Sequence, residues 1–245
     1  MDYTTIVDNL QNKSFSGVVS NLQNKSFSGI TIGLIQMLLF LLFSFGFQES
    51  YPTLKSINFI SYYWLMFTIL TGIWEICFIV NYNKVITLAD KFLKNNEHVW
   101  TNKYNLSYLF PNKLSKIFYA EYGAYGDREY MLRKDFWSRI VEGTHCDFAG
   151  FFSLSCIYCK IYNRENEFIV TTSIAMASQL MNSILYMANY FEQMKDPDNV
   201  NYITSKFPAG FALCKRPFMY VNLAWTFMPI YTICWLLISY YNENV

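Results

Sequence analysis

Hydrophobic and polar positions fall into long blocks along this chain. Five apolar runs of 18 residues or more stand out, at about 30–47, 57–82, 135–158, 168–191 and 217–241. A helix needs about 20 mostly apolar residues to cross the hydrocarbon core of a bilayer. The pattern therefore predicts an all-α membrane protein, a bundle of five transmembrane helices. The first run is interrupted only by Gln36. The other four carry polar residues at helical spacing, and such residues face protein or a cavity in a membrane.

These polar stripes nominate the candidate site. In the second run Thr68, Thr71, Glu75 and Tyr82 share one helix face, and Glu75 is its only charge. In the third run Glu142, His145, Ala149, Phe152 and Cys156 share a face, while Asp147 falls elsewhere on the helix. In the fourth, Gln179, Asn182, Tyr186 and Asn189 form a stripe. Amides in that setting often bond neighbouring helices, for about 0.6–2 kcal/mol each. In the fifth, Asn222, Trp225 and Pro229 stand in the first half. Glu75 has a structural alternative as well, an ion pair with an arginine such as Arg139.

The polar blocks are less informative. Residues 1–29 read as a disordered tail with a tandem duplication, N-L-Q-N-K-S-F-S-G at 9–17 and again at 21–29. Two copies are too few for a solenoid. No short apolar core with a cleavage site marks a signal peptide there. Residues 83–134 read as a long polar connection with one helical piece near 85–94, broken at Pro111. Its tyrosine-rich end, 119–130, is expected at the membrane surface. Fifteen of the 19 Lys and Arg lie in the tail, in 83–134 and in 192–216. The positive-inside rule places that side in the cytoplasm.

Composition agrees with a membrane protein. Hydrophobic residues make up 53% and charged residues 15%, against about 25% charged in soluble domains. A net charge of +1 gives no basis for nucleic-acid binding. Cys156 and Cys159 form a C-x-x-C inside an apolar run, without a second pair or a histidine cluster. Packed thiols are the simpler reading than a metal or redox site. No metal and no cofactor is expected.

The stretch 121–155 contains G-D-R-E-Y-M-L-R-K-D-F, then Glu142 and Gly150. Together with Glu75 in G-I-W-E-I-C-F, Gln179 followed by L-Y at 185–186, and N-L-A-W-T-F-M-P at 222–229, it resembles the emopamil-binding protein family. That family comprises sterol Δ8-Δ7 isomerases and relatives built on the EXPERA domain. The resemblance covers about 57–241, within a membrane domain taken as 30–245. It implies a five-helix fold, a multi-pass protein of the endoplasmic reticulum membrane, and a pocket for a sterol and cationic amphiphilic ligands. A homodimer is compatible with it. It implies Glu75, Glu142, Asn222 and Trp225 as catalytic residues, with Gln179 and Tyr186 binding substrate; His145 joins the catalytic set and Thr71 the substrate-binding set from their places on the stripes of Glu142 and Glu75. Two positions depart from the family pattern. Thr71 stands where its enzymes have a histidine, and His145 stands where they have a threonine.

The chemistry suits such residues. A buried carboxyl can donate a proton to the double bond, and a second base can remove one from a neighbouring carbon. An indole face can stabilise the intervening cation. Two other readings compete: a non-catalytic binding protein of the same fold, and a small transporter or channel subunit. The last is disfavoured by the absence of an inverted repeat or paired broken helices.

Overall fold

The structure is a computed structural model that describes residues 26–126, 136–195 and 218–244. Among the described residues, seven helices and one two-stranded ribbon are formed. In order they are β1 (Ser26–Ser28), α1 (Gly29–Ser50), a 3-10 turn (Pro52–Ser56), α2 (Phe59–Val80) and α3 (Tyr82–Asn95). Then come β2 (Lys103–Asn105), a second 3-10 turn (Leu106–Leu109), α4 (Pro111–Glu121) and a π-helical turn (Tyr122–Gly126). The long helices α5 (Phe136–Ile161), α6 (Glu165–Lys195) and α7 (Phe218–Asn244) complete the chain.

Local chemistry sets the helix ends. The Ser28 hydroxyl accepts from the Thr31 N–H at the start of α1, and the Asn58 amide oxygen accepts from Ile60 and Ser61 N–H at the start of α2. Both are N-caps of the usual type. Asn96 closes α3 with φ 53°, a left-handed conformation that asparagine tolerates.

Each of the five apolar runs forms a helix. Four of the helices are long and apolar enough to cross a membrane: α1, α2, the first 24 residues of α6 (Glu165–Ala188) and most of α7 (Val221–Asn242). They mark a multi-pass membrane protein. The fifth, α5, has 26 residues, but Arg139, Glu142, His145 and Asp147 crowd its first half, and it is not among the four. α5 packs along both α2 and α6, the two most extensive helix contacts in the structure, so protein covers much of its surface. By contrast α1 and α7 bury little. Leu34 is 64% exposed, Phe43 62% and Leu237 62%, a cost that only a lipid surround removes.

Glycine sets the closest approach in the bundle. A Cβ on Gly72 of α2 would lie 3.2 Å from the Cys146 carbonyl and 3.3 Å from the Gly150 Cα of α5. Farther along, Gly143 sits against Ile79. α2 and α5 therefore run antiparallel at small-residue contact, as expected for membrane helices.

The connection from 83 onward departs most from expectation. It is a packed cap. Val85, Ala89 and Phe92 of α3 meet Leu114, Ile117 and Ala120 of α4 in one buried cluster with Phe78 and Ile32. Pro111 opens α4 instead of breaking a helix, because a proline at the first position forfeits no helical hydrogen bond. The buried Glu121 carboxylate accepts from the Val99 N–H at 3.0 Å and meets His98 Nδ1 at 2.8 Å. The Gly29 N–H donates to the Val99 carbonyl, which ties α1 to the same loop. The end of the supposed disordered tail is ordered too. Residues 26–28 pair antiparallel with 103–105. The rest of the duplication lies outside the described residues.

Candidate functional site

Glu75 is a buried carboxylate, 2% exposed on α2. Its Oε2 accepts a hydrogen bond from the Tyr119 hydroxyl of α4. The Tyr119 ring stacks on Phe78, one turn along α2, with centroids 4.6 Å apart. Three residues beyond Tyr119, the Tyr122 hydroxyl meets that of Tyr186 on α6 at 3.2 Å. The tyrosines expected at the membrane surface therefore reach between the helices and hold the cap against the bundle.

Two turns along α2 lies a second polar group. The Trp64 indole N–H donates to Gln179 Oε1 at 2.8 Å, and the Gln179 amide donates to Thr68 Oγ1 at 3.3 Å. Trp225 of α7 covers this group. Its ring is 5.0 Å from that of Trp64 and 5.9 Å from that of Phe67. Seven residues separate Thr68 from Glu75, and seven separate Gln179 from Tyr186. At about 1.5 Å of rise per residue the two layers are about 10 Å apart. Between them, Ser183 Oγ and Thr226 Oγ1 meet at 2.6 Å, and the Asn222 carbonyl oxygen lies 3.0 Å from Thr226 Oγ1 and 3.4 Å from Ser183 Oγ as an acceptor for this hydroxyl pair. The polar residues of α2, α6 and α7 thus form a column rather than a single cluster, with the carboxyl at the cap end and the aromatics deeper.

The remaining candidates fall around this column. Thr71 gives its hydroxyl to the Thr68 carbonyl at 3.0 Å, within its own helix. His145 comes level with Glu75, since its neighbour Cys146 packs on Gly72. Its ring turns to α6, where it meets the Ser178 backbone, and Nδ1 lies 3.6 Å from the Cys146 sulfur. Asn222 takes part through its carbonyl oxygen. The backbone of Glu142 lies in α5 beside Gly143, about one turn nearer the cap than His145. Its side chain, like those of Arg139 and Asn189, lies outside the described residues, and so does the segment 127–135.

No known family model, curated protein or solved structure matches this chain. The reading of the site rests on its own geometry. No group of three or more metal-ligating side chains occurs among the described residues. Cys156 of the C-x-x-C is instead bonded to the Thr172 hydroxyl at 2.9 Å, joining α5 to α6.

Sequence reasoning overlooked Tyr119 and Trp64. The signal for Trp64 was available, because it lies four residues before Thr68 on the same stripe of α2. Tyr119 gave none. It sits in a polar connection, and only the folding of α4 against α2 brings its hydroxyl to Glu75.

Proposed function

We propose that this protein acts on a sterol-like lipid within the membrane, as a Δ8-Δ7 isomerase of the emopamil-binding architecture, with α5 as a fifth span sheltered by α2 and α6. The observation that carries this reading is the buried Glu75 carboxyl, held by a phenol at the cap end of a polar column whose far end is covered by Trp64, Phe67 and Trp225. An ionisable group inside a bundle of membrane helices is costly and defaults to a functional role.

In this scheme a carboxyl of the Glu75–Glu142 pair protonates one carbon of the ring double bond. The tertiary cation that forms is stabilised by the tryptophan face. Loss of a proton from the adjacent ring carbon to a carboxylate re-forms the double bond one position over. The proton count closes, and no cofactor is consumed. Tyr119 orients Glu75 and donates to its charged form. The location that goes with this chemistry is the endoplasmic reticulum membrane.

The test is conversion of a Δ8-sterol to its Δ7 isomer by the purified protein, followed by mass spectrometry. Wild type should form product, while Glu75→Gln and Glu142→Gln should each reduce it at least a hundredfold. One observation favours a second reading, a binding protein without catalysis. The α2 position that carries an imidazole in the family's enzymes carries Thr71, whose hydroxyl is already given to its own helix. Saturable sterol binding with no product from wild type would select that reading.

A further inference from the structure

A groove of about 540 Å³ lies on the outer face of the α2–α5 pair, where α2 turns into α3. It shares no residue with the polar column. Ile79 and Val80 of α2 form one wall, and Ile140 of α5 stands opposite. Gly143 closes the floor, where a Cβ would come within 2.6 Å of the Ile79 side chain. Val80 is 78% exposed and Ile140 39%, so both rims face lipid. The cap-side end is the α2–α3 turn, with Asn83 and Lys84 exposed at the mouth.

The lining carries one charge of each sign. Lys84 stands at the mouth, and Asp147 lies seven residues along α5 from Ile140, about 10 Å deeper. Side chains of a helix tilt toward its N-terminus, which for α5 is the cap end, so the Asp147 carboxyl is aimed back toward the mouth. Its Oδ1 is buried without a hydrogen-bond partner, while the residue as a whole is half-buried and its second oxygen is left to the groove. Neither Lys84 nor Asp147 forms an ion pair among the described residues. The exposed Thr144 hydroxyl donates to the Ile140 carbonyl, which leaves its oxygen free to accept. The groove thus presents a cation at the water end and two acceptors behind it, between apolar rims. Charges at such depth call for counter-charges. A glycerophospholipid brings only ester acceptors behind its phosphate, and these oppose the carboxyl. A sterol brings one hydroxyl and no anion. A simple amphiphilic amine answers Asp147 and leaves Lys84 unmatched. A sphingoid-base phosphate has the required order: a phosphate on its terminal carbon, an ammonium on the next, a hydroxyl on the one after, and a single chain. The exposed side chains of Ile76, Phe148 and Phe151 continue the apolar surface below the groove and suit that chain.

We infer that the α2–α5 groove is a binding site for a sphingoid-base phosphate of the cap-side leaflet, with Lys84 holding the phosphate, Asp147 the ammonium and Thr144 the hydroxyl. The ammonium keeps the Asp147 carboxyl in its charged form. The inference does not rest on the isomerase reading, whose residues lie in the column.

The experiment uses full-length protein in phosphatidylcholine nanodiscs with photoreactive sphingosine 1-phosphate, and maps the labelled peptides by mass spectrometry. Label is expected on the α2–α3 turn and on α5. Three competitors separate the contributions: unlabelled sphingosine 1-phosphate, sphingosine, which lacks the phosphate, and lysophosphatidate, which has a phosphate and a hydroxyl but no amine. The first should compete about tenfold better than either of the others, since each of those forfeits one partly desolvated charge pair. The variants should cross over. Asp147→Asn should erase the preference over lysophosphatidate, and Lys84→Gln should erase the preference over sphingosine. Both substitutions keep the side chain's approximate size, and if either fails to fold, the wild-type competition still decides. Competition by sphingosine equal to that of its phosphate would overturn the inference in favour of a plain amine site, and equal competition by lysophosphatidate in favour of a phosphate site. Label confined to other helices, or preferences unmoved by both variants, would overturn it outright.

Discussion

Gln179→Leu should destabilise the bundle even though leucine nearly preserves the volume. Gln179 is 1% exposed, and its amide spans α6 to α2 with one bond accepted from Trp64 and one donated to Thr68. Each interhelical hydrogen bond is worth about 0.6–2 kcal/mol in a membrane protein. The substitution also strands the buried Trp64 N–H, for about 1–3 kcal/mol more. The expected loss is about 2–7 kcal/mol. Trp64→Phe should cost a similar amount, because it strands the Gln179 oxygen and trims the aromatic stack on Trp225. The double variant has neither stranded group, so its loss should fall short of the sum by at least about 2 kcal/mol. Reversible unfolding in mixed micelles, followed by tryptophan fluorescence and circular dichroism, measures all four corners of the cycle. Additivity within about 0.3–0.5 kcal/mol, the range seen for uncoupled sites, would refute the coupling. Unchanged stability of Gln179→Leu with lost sterol binding would return Gln179 to a substrate role.

Other expectations can be measured directly. Gly72→Val should cost about 1–3 kcal/mol by overpacking against the α5 backbone, whereas Gly46→Ala, with nothing within 4 Å, should be neutral or stabilising. Equal melting shifts for the two would contradict the close α2–α5 contact. In the cap, burial pushes the Tyr104 phenol up to about 12 from 10.0; the Asn102 hydrogen bond works against the rise, and repulsion from Tyr108, Glu121 and Glu97 adds to it. Since the folded value is the higher one, the stability it brings is complete below pH 10 and is lost as pH rises through about 12. A phenolate absorbance titration of wild type against Tyr104→Phe should show one tyrosine ionising near 12, and ionisation near 10 in a folded cap would contradict its burial. Asn105, in an N-L-S sequence, should remain unglycosylated in cells if the positive-inside rule holds for this chain; a glycan there, seen as a mobility shift removed by endoglycosidase, would invert the topology.

The sequence by itself determined the membrane class and the existence of the long helices. Apolar runs of bilayer length have few other solutions, because a spanning segment must satisfy its own backbone hydrogen bonds. It also singled out Glu75, Gln179 and Trp225, since a polar residue on an apolar run is a local signal. It did not reveal their partners. The Gln179 amide goes to Trp64 and Thr68, more than a hundred residues away, and helical periodicity carries no information across that distance. Helix α5 shows the converse. Its polar first half is unlike a lipid-facing span, and only the tertiary structure shows that it packs along both α2 and α6. The cap was the least legible part. Its residues are half polar because one side of each short helix faces water, so composition read it as a connection. Its order comes from long-range packing of α3 on α4 and of Phe78 on Tyr119. That packing, which no local pattern encodes, delivers the tyrosine hydroxyl to Glu75.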